Sequence, residues 1–149
     1  MTRTATAATL AAALFAMPAT AELVTKPSAY AVGQTADRLE EAVEEAGAAV
    51  IARVDHQASA EGADLTMPPA ILVIFGNPKV GTPVMQEDLR AGLTLPLRVL
   101  VHADGEDTVV TYHTAESLFA GMDVDPAGEA AERIDGALEM LTDKATTLE

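Results

Sequence analysis

Phe75-Gly76-Asn77-Pro78-Lys79-Val80-Gly81-Thr82-Pro83 is the stretch on which the reading of this chain turns. It joins the end of an apolar run to a Gly/Asn/Pro turn, a lysine and a helix start. Upstream, Ile71 to Phe75 is apolar at every position, which predicts a strand with both faces buried. Downstream, Thr82 is expected to cap a short helix with Pro83 at its first position, running to Ala91 and stopped by Gly92. Pro96 then introduces a strand from Leu97 to His102, and Asp104-Gly105 signals a hairpin whose second arm is Thr108 to His113. With Asp104 and Gly105 as the two central residues, Val99 faces Val110 and Leu97 faces Tyr112, on the side that packs against helices. Arg98, Leu100 and His102, with Val109, Thr111 and His113, then share the opposite side.

Before the central stretch, Leu23 to Lys26 reads as a short extended segment interrupted at Pro27-Ser28. From Gln34 to Ala46, apolar Ala36, Leu39, Val43 and Ala46 recur at helical spacing while Glu40, Glu41, Glu44 and Glu45 face away, and Gly47 supplies a left-handed stop. Ala48 to Asp55 is expected to be a strand with Val50, Ala52 and Val54 on one face and Ile51 and Arg53 on the other. His56 to Gly62 reads as a helical turn or two, and Pro68-Pro69 forces an extended approach to the next strand. After the hairpin, Thr114 caps a helix ending at Gly121. Asp125-Pro126 opens a last helix with Ala127, Ala130, Ile134, Leu138 and Leu141 as its apolar stripe. The order predicts a single α+β domain, a largely antiparallel sheet with helices on one face. The second face carries apolar residues with nothing to cover them, which points to homodimerisation or a ligand cleft there.

The first 21 residues have a positive end at Arg3, an apolar middle from about Ala5 to Met17, and small residues at Ala19 and Ala21. That pattern is a secretory signal cleaved after Ala21, leaving residues 22–149 as the domain in the periplasm or outside the cell. The apolar run is shorter than the ~20 residues that span a bilayer, so no stable membrane anchor is expected. With 9 basic and 23 acidic residues the net charge is −14, which opposes binding to phosphate backbones and disfavours nucleic acid as a partner. The chain has no cysteine, which excludes disulfides, thiolate metal sites and thiol nucleophiles, and with no tryptophan and few aromatics a large aromatic stacking platform is not expected.

Several pieces resemble the domain-of-unknown-function 302 family of bacteria. They are Asp55-His56 with its Ala-rich turn, Met67-Pro68-Pro69, Ile74 through Pro83 with Met85-Gln86, Leu95-Pro96-Leu97-Arg98-Val99-Leu100-Val101, and Val110-Thr111-Tyr112. The resemblance implies a small α+β sandwich similar to the TATA-binding-protein-like order of strand, helix, four strands and helix. It implies no established activity, and the acidic surface argues against DNA binding as a shared function.

The candidate ligand-binding residues are Asp55, His56, Gly76, Asn77, Lys79, Gly81 and Thr82. The segment from Gly76 to Thr82 could offer successive backbone amides, Lys79 and a helix N-terminus to a small anion or carboxylate. It lacks the spacing of a Walker-type loop, and the plainer alternative is a turn after a buried strand. His56 beside Asp55 is a versatile ligand or proton carrier, with a turn-capping role as the plainer reading. Across a dimer face, His102 or His113 could meet His56 or a methionine such as Met67 or Met85, giving a soft copper or haem site. His102 and His113 are expected about 20 Å apart on the hairpin, too far to share a metal. The serines at 28, 59 and 117 lie in no GxSxG context, and no catalytic residue is assigned. The leading expectation is therefore an exported, non-enzymatic small-ligand-binding or accessory domain, with no cofactor specified. The alternatives are a periplasmic metal or haem protein using His56, and a hydrolase or isomerase with Asp55-His56 as base.

Overall fold

Strand β3 (Ala70–Gly76) is the spine of the domain, because Ile71, Val73 and Phe75 alternate onto one face and are buried there almost completely. The computed structural model describes residues 22–148, so the segment read as a signal peptide lies outside the described residues. Around β3 the chain lays down β1 (Leu23–Ser28), α1 (Val32–Glu45), β2 (Ala49–Asp55) and α2 (His56–Glu61) before it, and α3 (Pro78–Glu87) after it. A 3₁₀ turn (Leu89–Leu93), β4 (Leu97–Asp104), β5 (Asp107–His113), α4 (Ala115–Leu118) and α5 (Glu129–Thr146) complete it. The five strands form one sheet in the order β1-β5-β4-β3-β2, with all four neighbouring pairs antiparallel. Helices α1 and α5 pack on each other and on one face of the sheet, the α+β arrangement the sequence predicts.

The core is aliphatic. Val73, Val99, Val101 and Val110 of the sheet meet Leu39 and Val43 of α1 and Ile134 and Leu138 of α5, all at most 1 % exposed. Each such side chain contributes about 1.5–3 kcal/mol by leaving water. Gly47, at φ +73°, ends α1 in the left-handed conformation expected of it. Arg38 on α1 donates to the last carbonyls of α5, at Lys144 (3.0 Å) and Ala145 (3.3 Å). It also lies over the Tyr30 ring at 4.4 Å, so one side chain ties both helices to the start of the domain.

Five local expectations are corrected. β1 does not stop at Pro27; it runs to Ser28, with Pro27 opposite Val109, because an edge strand can spare a donor. The hairpin turns on Gly105-Glu106, not Asp104-Gly105, with Asp104 opposite Asp107 and Val101 opposite Val110. Gly105 takes φ +64° at the first central position, as a type II′ turn requires. That change slides one strand by two residues, and since side chains alternate with period two, every residue keeps its face. In β2 the register jumps between Val50 and Ala52. Val50 therefore lies opposite Phe75 on the helix face, but Ala52 and Val54 lie opposite Ile74 and Leu72 on the other. Arg53 is turned under α1, where it donates to Asp37 at 2.6 Å and Glu40 at 3.3 Å. Helix α3 begins at Pro78 rather than near Thr82, leaving Thr82 and Pro83 in its interior. Helix α5 begins at Glu129, with Ala131 buried and Ala127 outside the helix.

The face of the sheet away from α1 and α5 is not sealed. Leu72, Ile74 and Leu100 at its centre are only half-buried, so β3 is fully enclosed on one face rather than on both. His102 bonds to the Thr111 hydroxyl (3.1 Å) and the Ala103 carbonyl (3.0 Å) on this side.

Candidate functional site

The turn after β3 is organised by Asn77. Its side chain accepts from the Lys79 amide at 2.9 Å, and its carbonyl accepts from the Val80 and Gly81 amides at 2.9 and 3.0 Å. Pro78 at the first helical position has no amide to satisfy, so the start of α3 is closed upon itself. The Lys79, Val80 and Gly81 amides, the donors an anion at this helix start would need, are thus turned to Asn77. The Asn77 side chain also donates to the Gly47 carbonyl at 3.3 Å, fastening the β3–α3 turn to the α1–β2 turn.

Behind this turn is a cavity of about 410 Å³ between α3, the segment before β4 and the adjacent end of the sheet. Ile51, Val80, Met85, Leu95, Leu97 and Ile134 give it apolar walls, and Asn77 and Thr82 supply its polar side chains. Ile134 closes it from the core as a fully buried residue, whereas Ile51, carried outward by the β2 irregularity, is 58 % exposed at its edge. Gly76, Gly81 and Gly92 bring backbone to the wall. A Cβ on Gly81 would sit 3.5 Å from Leu95 Cδ1, and one on Gly92 3.6 Å from the Met85 sulfur. The Leu95–Pro96 peptide in the same wall is cis. Among the described residues, no Asp, Glu, Lys, Arg or His lines this space. It can hold a compact apolar body and meet one polar group at its edge.

An ion pair with a cluster of amide donors lies at the end of α3, beside the cavity. Arg90 donates to the Asp88 carboxylate, and the Asp123 and Arg90 amides donate to it as well, at 2.9 and 2.8 Å. The Arg90 side chain first, then these amides, hold the Asp88 carboxyl well below the usual carboxylate range. The arrangement clasps the 3₁₀ turn to the segment after α4 and is structural. Elsewhere Lys26, at 2.6 Å from Asp143, has its pKa raised: burial alone would lower it, but hydrogen bonding and charge from Asp143, with Tyr112, outweigh that.

The sequence-derived site is divided by the fold. Gly76, Asn77, Gly81 and Thr82 line the cavity, Lys79 lies exposed on the first turn of α3 beside them, and Met85 is in the same wall. Asp55 and His56 are at the other end of the sheet, because β2 and β3 are antiparallel and Asp55 pairs with Ile71. The six residues from Ile71 to Asn77 put roughly 20 Å between the two groups. For the same reason His56 and Met85 are not brought together within one chain. The Asp55 carboxylate caps α2, accepting from the Ala58 amide at 2.9 Å, while its carbonyl accepts from the Ser59 hydroxyl at 2.7 Å. His102 pairs opposite Val109, four residues from His113, about 13 Å along the strand rather than 20 Å. They remain too distant to share a metal. His113 instead meets the Ser117 hydroxyl at 3.0 Å on the surface. No group of three or more His, Asp or Glu side chains suited to a metal occurs among the described residues.

Sequence reasoning missed the cavity's walls at Ile51, Val80, Leu95 and Ile134. Their contact depends on the β2 irregularity and on where α5 crosses, neither of which has a local signature. The one legible hint was a Met, a Leu-Pro pair and glycines clustered around a short helix.

Comparison with known proteins places this geometry in context. The model of the family described as "Domain of unknown function DUF302" matches residues 24–141. "Fluoride-specific ion channel FluC 1" of Brucella suis biovar 1 is 44% identical over 87 residues, covering 58% of this chain and 34% of that protein. "Fluoride-specific ion channel FluC 2" of Brucella melitensis biotype 1 is 44% identical over 87 residues, covering 58% of this chain and 32% of that protein. The matched part thus spans about a third of the length of these curated relatives. The crystal structure of an uncharacterized conserved DUF302 protein from Bacillus stearothermophilus superposes with a TM-score of 0.75 at 24% identity. The superposition covers 83% of this chain and 97% of the other, and it shows the shared fold.

Proposed function

This chain belongs to the DUF302 family, and from that premise we propose that it is an exported accessory domain that binds a small, chiefly apolar molecule without transforming it. The observation that carries the reading is the cavity behind Asn77, whose volume lies within the few-hundred-Å³ range of small-molecule sites and whose walls are apolar with two polar side chains. Asn77 keeps one amide hydrogen and Thr82 its hydroxyl for a ligand's polar end. A bare anion is poorly suited to it, since entry would strip the ion's water without a facing cation. Lys79, exposed at the start of α3, would serve the head of an amphipathic carboxylate rather than an inorganic ion. The accessory character is supported by the Brucella proteins, in which a domain like this one makes up about a third of a chain named for fluoride conduction. The apolar walls give no reason to carry fluoride itself over to this domain. Export rests on the pattern of residues 1–21.

The test is a thermal-shift and native mass spectrometry series with straight-chain alcohols of increasing length and the matching carboxylates. Medium-length alcohols are expected to raise Tm saturably, since binding to the folded state alone is stabilising. Met85→Trp, which fills the space, is expected to abolish the shift while the protein stays folded. Lys79→Ala weakening only the carboxylates would assign Lys79 to the head group. An absence of any shift across both series, with a clean protein mass from an exported preparation, refutes the reading.

A further inference from the structure

Beyond the cavity, the open sheet face has its own chemistry, and we infer that it is the dimerisation surface of this domain, with β4 of one copy crossing antiparallel over β4 of the other. The alternation along β4 and β5 sorts this face into three bands. Leu72, Ile74 and Leu100 form the apolar middle, half-buried on the face away from α1 and α5. Arg98, beside Ile74, marks one end of β4, and His113 on β5 lies at the same end. Asp104 and Asp107, paired across the hairpin, mark the other end, six residues or about 20 Å from Arg98.

That distribution is self-complementary under one two-fold operation. An axis in the plane of the sheet and perpendicular to the strands sets β4 over its own copy in the opposite direction. Arg98 then comes over the partner's acidic hairpin end, and the apolar middles meet near the axis. Because the operation is a two-fold, the same contact is made twice, as an isologous interface demands. An axis along the strands would instead place Arg98 on Arg98 and the aspartates on one another, which electrostatics disfavours. A second copy fits better than an unrelated partner on two further grounds. The chain carries a net charge of −14, so two copies repel on most of their surface, and this apolar band with its balanced ends is where they can meet. Five strands spaced at about 4.8 Å and six residues long give each face roughly 500 Å², so a pair buries on the order of 1,000 Å². That is the lower limit of a specific interface, so the dimer is reversible and concentration-dependent rather than obligate.

The experiment is sedimentation equilibrium of the purified chain across micromolar to millimolar concentrations, with charge-reversed variants. Wild type is expected to show a monomer–dimer equilibrium. Arg98→Glu alone, and Asp104→Arg with Asp107→Arg, are each expected to weaken it at least tenfold while circular dichroism stays unchanged. An equimolar mixture of the two variants is expected to restore dimerisation, because both crossed contacts again join opposite charges. A chain that stays monomeric at millimolar concentration overturns the inference. So does a dimer indifferent to the reversals, or a mixture that fails to recover.

Discussion

Replacing Gly81 by alanine tests the placement of α3, on which the cavity depends. If α3 begins at Pro78, Gly81 is a helix-interior residue, and its φ is not in the left-handed region. Alanine there gains about 0.8–1 kcal/mol of helix propensity over glycine. The added Cβ sits 3.5 Å from Leu95 Cδ1, an ordinary contact, so no steric cost offsets the gain. Gly47 provides the internal control. Its Cβ would meet nothing within 4 Å, yet φ of +73° makes alanine pay a left-handed penalty of about 1 kcal/mol. The two substitutions are chemically identical and are expected to move stability in opposite directions, separated by about 2 kcal/mol. For a domain of this size that separation is about 5–10 °C in Tm. Urea unfolding followed by circular dichroism measures it directly. If Gly81→Ala destabilises as Gly47→Ala does, α3 does not extend through Gly81 and the walls of the cavity are wrongly drawn.

Other perturbations bear on the same elements. Asn77→Ala removes the cap on Lys79 and the tie to Gly47, and is expected to cost about 1–2 kcal/mol in denaturant titration, with Asn77→Asp recovering the cap. Phe75→Ala empties a site 2 % exposed at the core and is expected to cost about 3–5 kcal/mol by the same measurement. Asp88 has a lowered folded-state pKa, so its stabilising contribution is present above the ordinary carboxylate pKa of about 3.9 and is lost as pH falls below that value. The Tm difference between wild type and Asp88→Asn is therefore expected to be largest near neutrality and to shrink on acidification; a difference that stays constant with pH contradicts the ionic clasp.

The parts of this domain that were legible in sequence are those whose cause is local. The buried stripe through Ala36, Leu39 and Val43, the left-handed stop at Gly47 and the turn at His56 to Gly62 each follow from spacing within a few residues. The faces of β4 and β5 were also readable, and they survived a misplaced hairpin because a slip of two residues preserves alternation. The order of elements carried the α+β arrangement, which the five-stranded antiparallel sheet bears out, and the match over residues 24–141 bears out the family resemblance.

What tertiary structure decided is non-local. The antiparallel pairing of β2 with β3 sends Asp55-His56 and Asn77 to opposite ends of the sheet, so residues that looked like one site are two places. The irregularity at Ile51 reverses the facing of Ala52 to Asp55 and delivers Ile51 to the cavity edge, although nothing in Val50-Ile51-Ala52 announces it. The cavity exists because α3, the segment before β4 and α5 converge on one sheet end. Periodicity reports which face of an element prefers to leave water, and it is silent on which other element will cover that face; that choice belongs to the packing of the whole chain.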